Sequence, residues 1–420
     1  MIKILINNIL INIMKINSNF KIFDLGGSFL KVYCSKTKLI NKIEMFSENT
    51  ISLLKLKSII LDFIEEDTEF IGLSSQMHGF ILFDNENKNI SDFITWKNSS
   101  IINILDENIF NDFNITGLQK RKDLPINNLN NYLLNNNLKN KKIYFKNITE
   151  GILDESNNIT HSTMACGTGF YNIFNCEYIN EYIKYFNHKF NIELLLDEVT
   201  YDFKISGYIN KFNKKIPVLI GIGDFQSSLY GTNIKPKSLL INMATGSQIA
   251  QLIDKNNIIN DKDIFSFRPY FENNFIKCIT HIPSGRFLNI FNNFFNEIGI
   301  NMWDYLNNLS MEEIYNSNIN INTDIFSNDG IIISNINNIN FNIKNVISSI
   351  LYNYIFQYIK IIKENNINFE YIILSGGIPK KIPVIKDIFE KEFNIKIIIN
   401  DIDDDSLIGV LNIINKYIIK

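Results

Sequence analysis

The stretch Pro217–Gln248 reads PVLIGIGDFQSSLYGTNIKPKSLLINMATGSQ. Its apolar start, Pro217 to Ile222, predicts a strand that delivers Gly223-Asp224 at its end. A loop containing Lys237 follows, then a second apolar strand over Ser238 to Met243 that ends in Ala244-Thr245-Gly246-Ser247. One strand end presents a carboxylate; the other presents backbone N–H groups and small hydroxyls. A carboxylate takes a proton from an alcohol, and a Gly/Ser/Thr turn lets backbone N–H groups approach a phosphate. Together these are parts that phosphoryl transfer to a small hydroxyl compound needs. The same residues also suit two ordinary strand ends, so the decision rests on the remaining chain.

The chain has 420 residues, enough for two or three domains, and 45% are hydrophobic, enough for sizeable cores. A formal net charge of −3 and a pI of about 5.9 argue against nucleic acid or an acidic membrane surface as partners. Cys34, Cys166, Cys176 and Cys278 stand far apart with no CxxC, which fits reduced thiols in a cytoplasmic protein. His78, His161, His188 and His281 show no metal-ligand spacing. Residues 1–18 are apolar but interrupted by Asn7, Asn8 and Asn12, and read as an N-terminal extension too short and polar to span a membrane. The richness in Asn and Ile blurs periodicity elsewhere.

Near the start, a strand over Lys21 to Phe23 opens into Asp24-Leu25-Gly26-Gly27-Ser28-Phe29-Leu30-Lys31. An acid, a Gly turn, a hydroxyl and a lysine at these offsets suit a phosphate and a hydrated Mg²⁺ at Asp24; a plain hairpin with a Gly-Gly turn is the alternative. A strand over Phe70 to Ser74 leads to Ser75-Gln76-Met77-His78-Gly79, where Gln and His both donate and accept, as sugar hydroxyls require. Trp96 stacks on a sugar face or sits in the core. Thr160–Asn172 reads as a small-residue loop packed near a site, and Ile205–Phe212 as a hairpin turning at Gly207. Val346 to Ile362 carries an apolar stripe of 3.6 period, predicting a buried helix over Lys344–Glu364. Ser375-Gly376-Gly377 follows a strand and precedes a helix begun by Pro383. The turns at 24–28 and 245–247 look like one device used once per half, which points to two related α/β domains.

In this order, Asp-x-Gly-x-Ser-x-x-Lys, Ser-x-Gln-Met-His-Gly, Thr-Trp, Gly-x-Gly-Asp-x-Gln, a Thr-Gly-Ser turn, Arg-Pro-Tyr-Phe, Ser-Gly-Gly and a final Asp-Ser-x-x-Gly resemble the FGGY carbohydrate kinases, from about residue 20 to 418. The Gln-Met-His segment is similar to the ketose-phosphorylating branch, and the segments around Asp224, Ala244 and Arg268 to sedoheptulokinases first and xylulokinases next. The resemblance implies an α/β fold of two actin-like (ribonuclease H-like) ATPase domains facing across a nucleotide cleft, with boundaries at 19–222 (sugar side) and 223–420 (nucleotide side). It implies ATP and Mg²⁺ as cofactors, a ketose as the small-molecule partner, and a monomer or homodimer. Asp224 would be the catalytic base and Asp24 the Mg²⁺-associated acid. Gly26, Gly27, Ser28 and Lys31 would form one phosphate loop, Thr245, Gly246 and Ser247 the other, and Ser375, Gly376 and Gly377 would line the nucleotide. Gln76, Met77, His78, Trp96 and Asn98 would line the sugar. The chain departs from the family at Trp96-Lys97-Asn98-Ser99-Ser100, where Trp-x-Asp-x-Arg is frequent, at His281–Arg286, and at Ser327–Gly330.

Overall fold

The computed structural model describes residues 18–44, 49–98, 110, 112–244, 246–258, 264–323 and 331–418. The predicted extension up to residue 17, Thr245, Ser99-Ser100 and Ser327–Gly330 lie outside the described residues. The chain divides into two compact units. One runs to Asn233 and includes Asp254–Phe275 and Asp404–Lys420; the other is Ile234–Ile253 with Ile276–Asp403. Residues 223–233, 254–275 and 404–420, expected in the second domain, thus sit with the first unit.

The first unit is built on an eight-stranded sheet. Its order is Ile40–Glu44, Phe29–Cys34, Phe20–Leu25, Phe70–Ser75, Lys214–Leu219, Ile205–Lys211 and Glu155–Ser156, with the short strand Ile222–Gly223 also pairing with Phe70–Ser75. Phe20–Leu25 and Phe70–Ser75 run parallel and are buried along their whole length, which is why both read as near-continuous apolar runs. Phe20–Leu25 pairs antiparallel with Phe29–Cys34, placing Asp24 opposite Lys31 and Leu25 opposite Leu30. The backbone N–H of Gly26 donates to the Phe29 carbonyl at 3.1 Å and closes the turn. One face of the sheet packs with Leu53, Leu56 and Ile60 of the helix Leu53–Asp62, and with Ile148 and Ile152, into a buried cluster.

The second unit repeats the plan. Ser238–Met243 forms an antiparallel hairpin with Ser247–Asp254, Met243 opposite Ser247, and runs parallel to Tyr371–Ser375, Asn242 opposite Ser375. In the same register of the first unit, Asp24 is opposite Ser74. The repetition legible as two small-residue turns is therefore a repetition of strand order, hairpin then parallel neighbour. The predicted long helix is present as Ile343–Glu364, with Ile347, Ile350, Leu351, Tyr354, Ile355, Tyr358, Ile359 and Ile362 buried.

Two sequence expectations change. The segment after Asp224 is a helix, Asp224–Gly231, rather than a loop. Its serines and glycine hid the helical pattern, since these residues are poor helix formers that only tertiary packing retains. Ile205–Lys211 is one strand, and its hairpin turns at Phe212 and Asn213, both with φ near +55°, instead of at Gly207. Gly207 instead sits at a bulge in the pairing with Lys214–Leu219, and on its other side a Cβ would stand 2.1 Å from the Glu155 carbonyl oxygen.

The helix Asp224–Gly231 crosses the last helix, Asp405–Tyr417, at backbone contact. A Cβ on Gly409 would stand 1.8 Å from the Ser227 carbonyl oxygen, and one on Gly231 would stand 2.0 Å from that of Asp405. Ser227 Oγ donates to the Ser406 carbonyl at 2.6 Å. Small residues on both helices are the condition for this approach. Gly409→Ala is expected to force the helices apart and to cost at least about 1–3 kcal/mol, the scale of an overpacked core. Chemical denaturation of wild type and variant checks this; equal midpoints would contradict the close crossing.

Candidate functional site

Asp24 lies at the end of a wholly buried strand and is 2% exposed. Ser74 Oγ donates to its Oδ1 at 3.1 Å, and Ser406 Oγ donates to its Oδ2. Lys31 Nζ stands 3.5 Å from Oδ2 and 3.4 Å from Asp404 Oδ1, while Lys42 Nζ reaches the same Asp404 oxygen at 2.9 Å. Burial lowers the Lys31 pKa, and the carboxylates of Asp24 and Asp404 outweigh it, leaving Lys31 above its ordinary value. Three distant segments therefore converge on one carboxylate: a hairpin, the strand Phe70–Ser75 and the start of the last helix. Sequence reading found Asp24 and Lys31, and Ser406 within the final Asp-Ser-x-x-Gly, but joined neither Ser406 nor Ser74 and Asp404 to Asp24, because nothing in the primary order links residue 24 to residue 406.

Asp224 is the first residue of its helix and is partly buried. Its Oδ1 accepts from the Phe225 backbone N–H at 2.8 Å. Burial, then the nearby Asp24 carboxylate, push its pKa up to about 7, while the Phe225 N–H, Arg268 and Lys31 pull it back. Such a group is poised to exchange a proton near neutrality. The residue before it is fixed from two sides. Gly223 N–H donates to Thr163 Oγ1 at 3.1 Å, and Thr163 is itself held by His161 Nδ1 at 2.8 Å. Burial pushes His161 down to about 4, so its ring is neutral and its Nδ1 accepts. A Cβ on Gly223 would meet Met77 Sδ at 2.8 Å, so only glycine lets Met77 pack there.

The Gln76–His78 segment follows directly. The Gln76 backbone N–H donates to the Leu25 carbonyl at 2.9 Å, which seats it beside the first hairpin. Gln76 is 3% exposed, and neither its Oε1 nor its Nε2 has a hydrogen-bond partner. His78 Nδ1 contacts the Gly167 carbonyl at 2.9 Å, so the Thr160–Asn172 stretch does pack against this segment. Trp96 lies against the first turn: a Cβ on Gly27 would be 3.2 Å from its Nε1. Asn98 is partly buried and donates its backbone N–H to Thr95 at 3.1 Å. Ser28 is exposed at the turn's tip. The structure thus gathers Asp24, Gly26, Gly27, Lys31, Gln76, Met77, His78, Trp96 and Asp224 in one unit.

Gly246, Ser247, Ser375, Gly376 and Gly377 are in the second unit. Because Ser238–Met243 and Tyr371–Ser375 are parallel neighbours, both turns leave the same sheet edge. Ser247 Oγ donates to the Asn242 carbonyl. Gly376 has φ +91°, and a Cβ there would stand 2.3 Å from the Met243 carbonyl oxygen, so glycine is required twice over. Gly246 and Gly377 face open space, and the buried Ser375 hydroxyl is unpartnered. An open cradle of small residues with an unsatisfied hydroxyl fits a polar ligand such as a nucleotide phosphate. For a cation, one carboxylate already occupied by two hydroxyls and a lysine fits only an ion that keeps most of its waters, as Mg²⁺ does. Among the described residues, no group of three or more His, Cys, Asp or Glu could hold a metal ion, and no helix is long and apolar enough to cross a membrane.

Residues 36–231 match the model of the N-terminal domain of the FGGY family of carbohydrate kinases. Among solved structures, the chain is similar to a ligand-bound xylulose kinase from Lactobacillus acidophilus, with TM-score 0.75 and 16% identity over 95% of this chain and 89% of that one. It is similar to a gluconate kinase from the same organism, with TM-score 0.74 and 15% identity over 95% and 89% of the two chains. A Plasmodium falciparum glycerol kinase with ADP gives TM-score 0.74 and 14% identity over 94% and 88%. No curated protein sequence matches the chain. The fold is the two-domain actin-like ATPase fold. Residues 36–231 are thus similar to the N-terminal domain of that family, and the solved structures, at 14–16% identity, carry the fold.

The raised Asp224 pKa has a measurable consequence. In the unfolded chain the group titrates near 3.8, and in the folded chain at about 7. The folded state therefore binds the extra proton in between, so this group's contribution to stability falls as pH rises through that window and is flat above it. Asp224→Asn removes the titration. The melting temperature of the variant should gain on that of wild type between about pH 4 and about pH 7. A difference independent of pH would show that Asp224 ionises normally.

Proposed function

We propose that the chain is an ATP-dependent kinase that phosphorylates a ketose at a terminal hydroxyl, sedoheptulose to sedoheptulose 7-phosphate first, with Asp224 as general base. The observation that carries this reading is a carboxylate at a helix start, pushed up to about 7 beside the fixed, hydrogen-bonded Asp24. Asp224 would accept the proton of the sugar hydroxyl as that oxygen forms its bond to the γ-phosphorus and the bond from the γ-phosphorus to the bridging oxygen of ADP breaks. A base titrating near neutrality is largely ionised at physiological pH yet basic enough to take an alcohol proton in the transition state.

Gly26, Gly27, Ser28 and Lys31 are the proposed phosphate loop of the first unit. Gly246, Ser247, Ser375, Gly376 and Gly377, with Thr245, are the proposed nucleotide-binding turns of the second. Gln76, Met77, His78, Trp96 and Asn98 would receive the sugar. Mg²⁺, when bound, would supply charge neutralisation of the phosphates, with Asp24 holding its water shell. Lys31, kept protonated by Asp24 and Asp404, would do the same for a phosphate oxygen. A pentulose kinase of the xylulokinase type is the second reading, favoured by neighbours described as xylulose kinases.

The test is ADP release with Mg-ATP and sedoheptulose, D-xylulose, D-ribulose, glycerol or no sugar. One ketose should stand out, and its rate should rise with pH through about 7. Asp224→Asn should lower kcat by about 10²–10⁴-fold while leaving sugar binding largely intact. A variant that turns over normally would remove Asp224 from the mechanism, and a flat response across the panel would remove the kinase reading.

A further inference from the structure

Arg268 lies on the strand Ser266–Pro269, every residue of which is buried, and is itself 6% exposed. Among the described residues no ion pair within 4.0 Å includes it, although the Asp224 carboxylate is near enough to feel its charge. Its Nη1 stands 3.6 Å from Met77 Sδ, a weak acceptor, and its guanidinium carbon lies 5.1 Å from the centre of the Phe225 ring. Its Nε has no hydrogen-bond partner. A guanidinium taken out of water with so few hydrogen bonds in exchange is costly. Its neighbours tell where it is. Met77 precedes His78 and abuts Gly223, and Phe225 follows Asp224. Two further buried amides of this cluster have unpaired atoms: both polar atoms of Gln76, and Oε1 of Gln226, whose Nε2 donates to the Pro269 carbonyl at 3.2 Å. The cluster holds a surplus of buried polar atoms beside the proposed base, which is the condition of a site built to be completed by a polar ligand.

We propose, building on the kinase reading, that Arg268 is the residue that selects the acceptor: its guanidinium donates to the carbonyl oxygen of a ketose, while Gln76 takes a neighbouring hydroxyl. A guanidinium offers only donors, so it matches an oxygen that only accepts, whereas a hydroxyl in the same place must also dispose of its own hydrogen. A carboxylate is acceptor-only as well, but Asp24 and Asp224 crowd this site with negative charge and oppose an anion. The neutral ketone is the acceptor-only group that remains. A site whose buried donor is left unpaired by the wrong ligand discriminates strongly against it.

The test is calorimetric titration, without nucleotide, of sedoheptulose and xylulose, of the alditols made by reducing them, and of gluconate, into wild type, Arg268→Met and Arg268→Lys. Wild type should bind its ketose at least about 10-fold more tightly than the alditol and than gluconate. Arg268→Met should weaken ketose binding by about 10–100-fold with little change for the alditol, so that the preference collapses. Should the Met variant not fold, the Lys variant, which keeps the charge and loses the fork, is read in its place and should lose about 10-fold for the ketose. An unchanged ketose preference in the variants would overturn the proposal. So would an equal loss for ketose and alditol, tighter binding of gluconate than of any ketose by wild type, or no binding of any of these compounds. Wild type that binds a ketose selectively through Arg268 but releases no ADP would leave the selection standing and remove the kinase reading.

Discussion

The first unit depends on a contact between two backbones. Gly409 lets the last helix press on the Ser227 carbonyl, and Gly231 lets the Asp224 helix press on the Asp405 carbonyl. Gly72 makes room for Val410 and Ile414 on the same helix, where a Cβ would find their side-chain carbons 3.0 Å and 2.9 Å away. The C-terminal helix is thereby held against the sheet strand Phe70–Ser75 and against the helix that begins with Asp224. Dispersion contacts and a buried Ser227–Ser406 hydrogen bond reward the close approach, and glycine removes the atoms that would forbid it. Without this crossing, the hydroxyl of Ser406 would not reach Asp24, and the Asp224 helix would lose the surface that sets its position.

From that constraint follows the electrostatic character of the site. Asp24 is well supplied: two hydroxyls donate to it and a lysine stands beside it. Asp224 receives one backbone N–H and lesser pulls from Arg268 and Lys31, and burial and a like charge outweigh them. Two carboxylates in one neighbourhood are thus driven to different behaviour by what surrounds them, the same physics by which paired acids divide their roles in other sites. The neutral His161 takes no part in this charge balance. It works through Thr163, which holds the Gly223 N–H one residue before Asp224.

Much of the fold was legible because its strands are buried on both faces. Phe20–Leu25, Ser238–Met243 and Tyr371–Ser375 read as apolar runs that end in small-residue turns, and each is a strand within a residue or two of where its sequence placed it. The long stripe from Ile343 to Glu364 was legible for the complementary reason, a 3.6-residue period. The helix Asp224–Gly231 was not, since Ser227, Ser228 and Gly231 belong to a helix only because another helix needs small residues there. Gly207 misled in the same way: it signals a close approach to Glu155 from a distant strand, which local sequence reports only as a turn.

By itself the sequence determined the succession of strands and turns, the two small-residue turns placed once in each half, and the acids at 24 and 224, because strand periodicity, turn chemistry and residue type are local properties of a chain. The tertiary structure alone decided which distant groups meet. It brought Ser74, Asp404 and Ser406 to Asp24 and Lys31, Thr163 to Gly223, Gly167 to His78, and Arg268 to Met77 and Phe225. It also moved the division of the chain, returning the last helix to the first unit. The physical reason is that burial, charge proximity and unpaired donors belong to a neighbourhood in space, and closing the chain from residue 24 to residue 406 is an outcome of packing that no run of adjacent residues encodes.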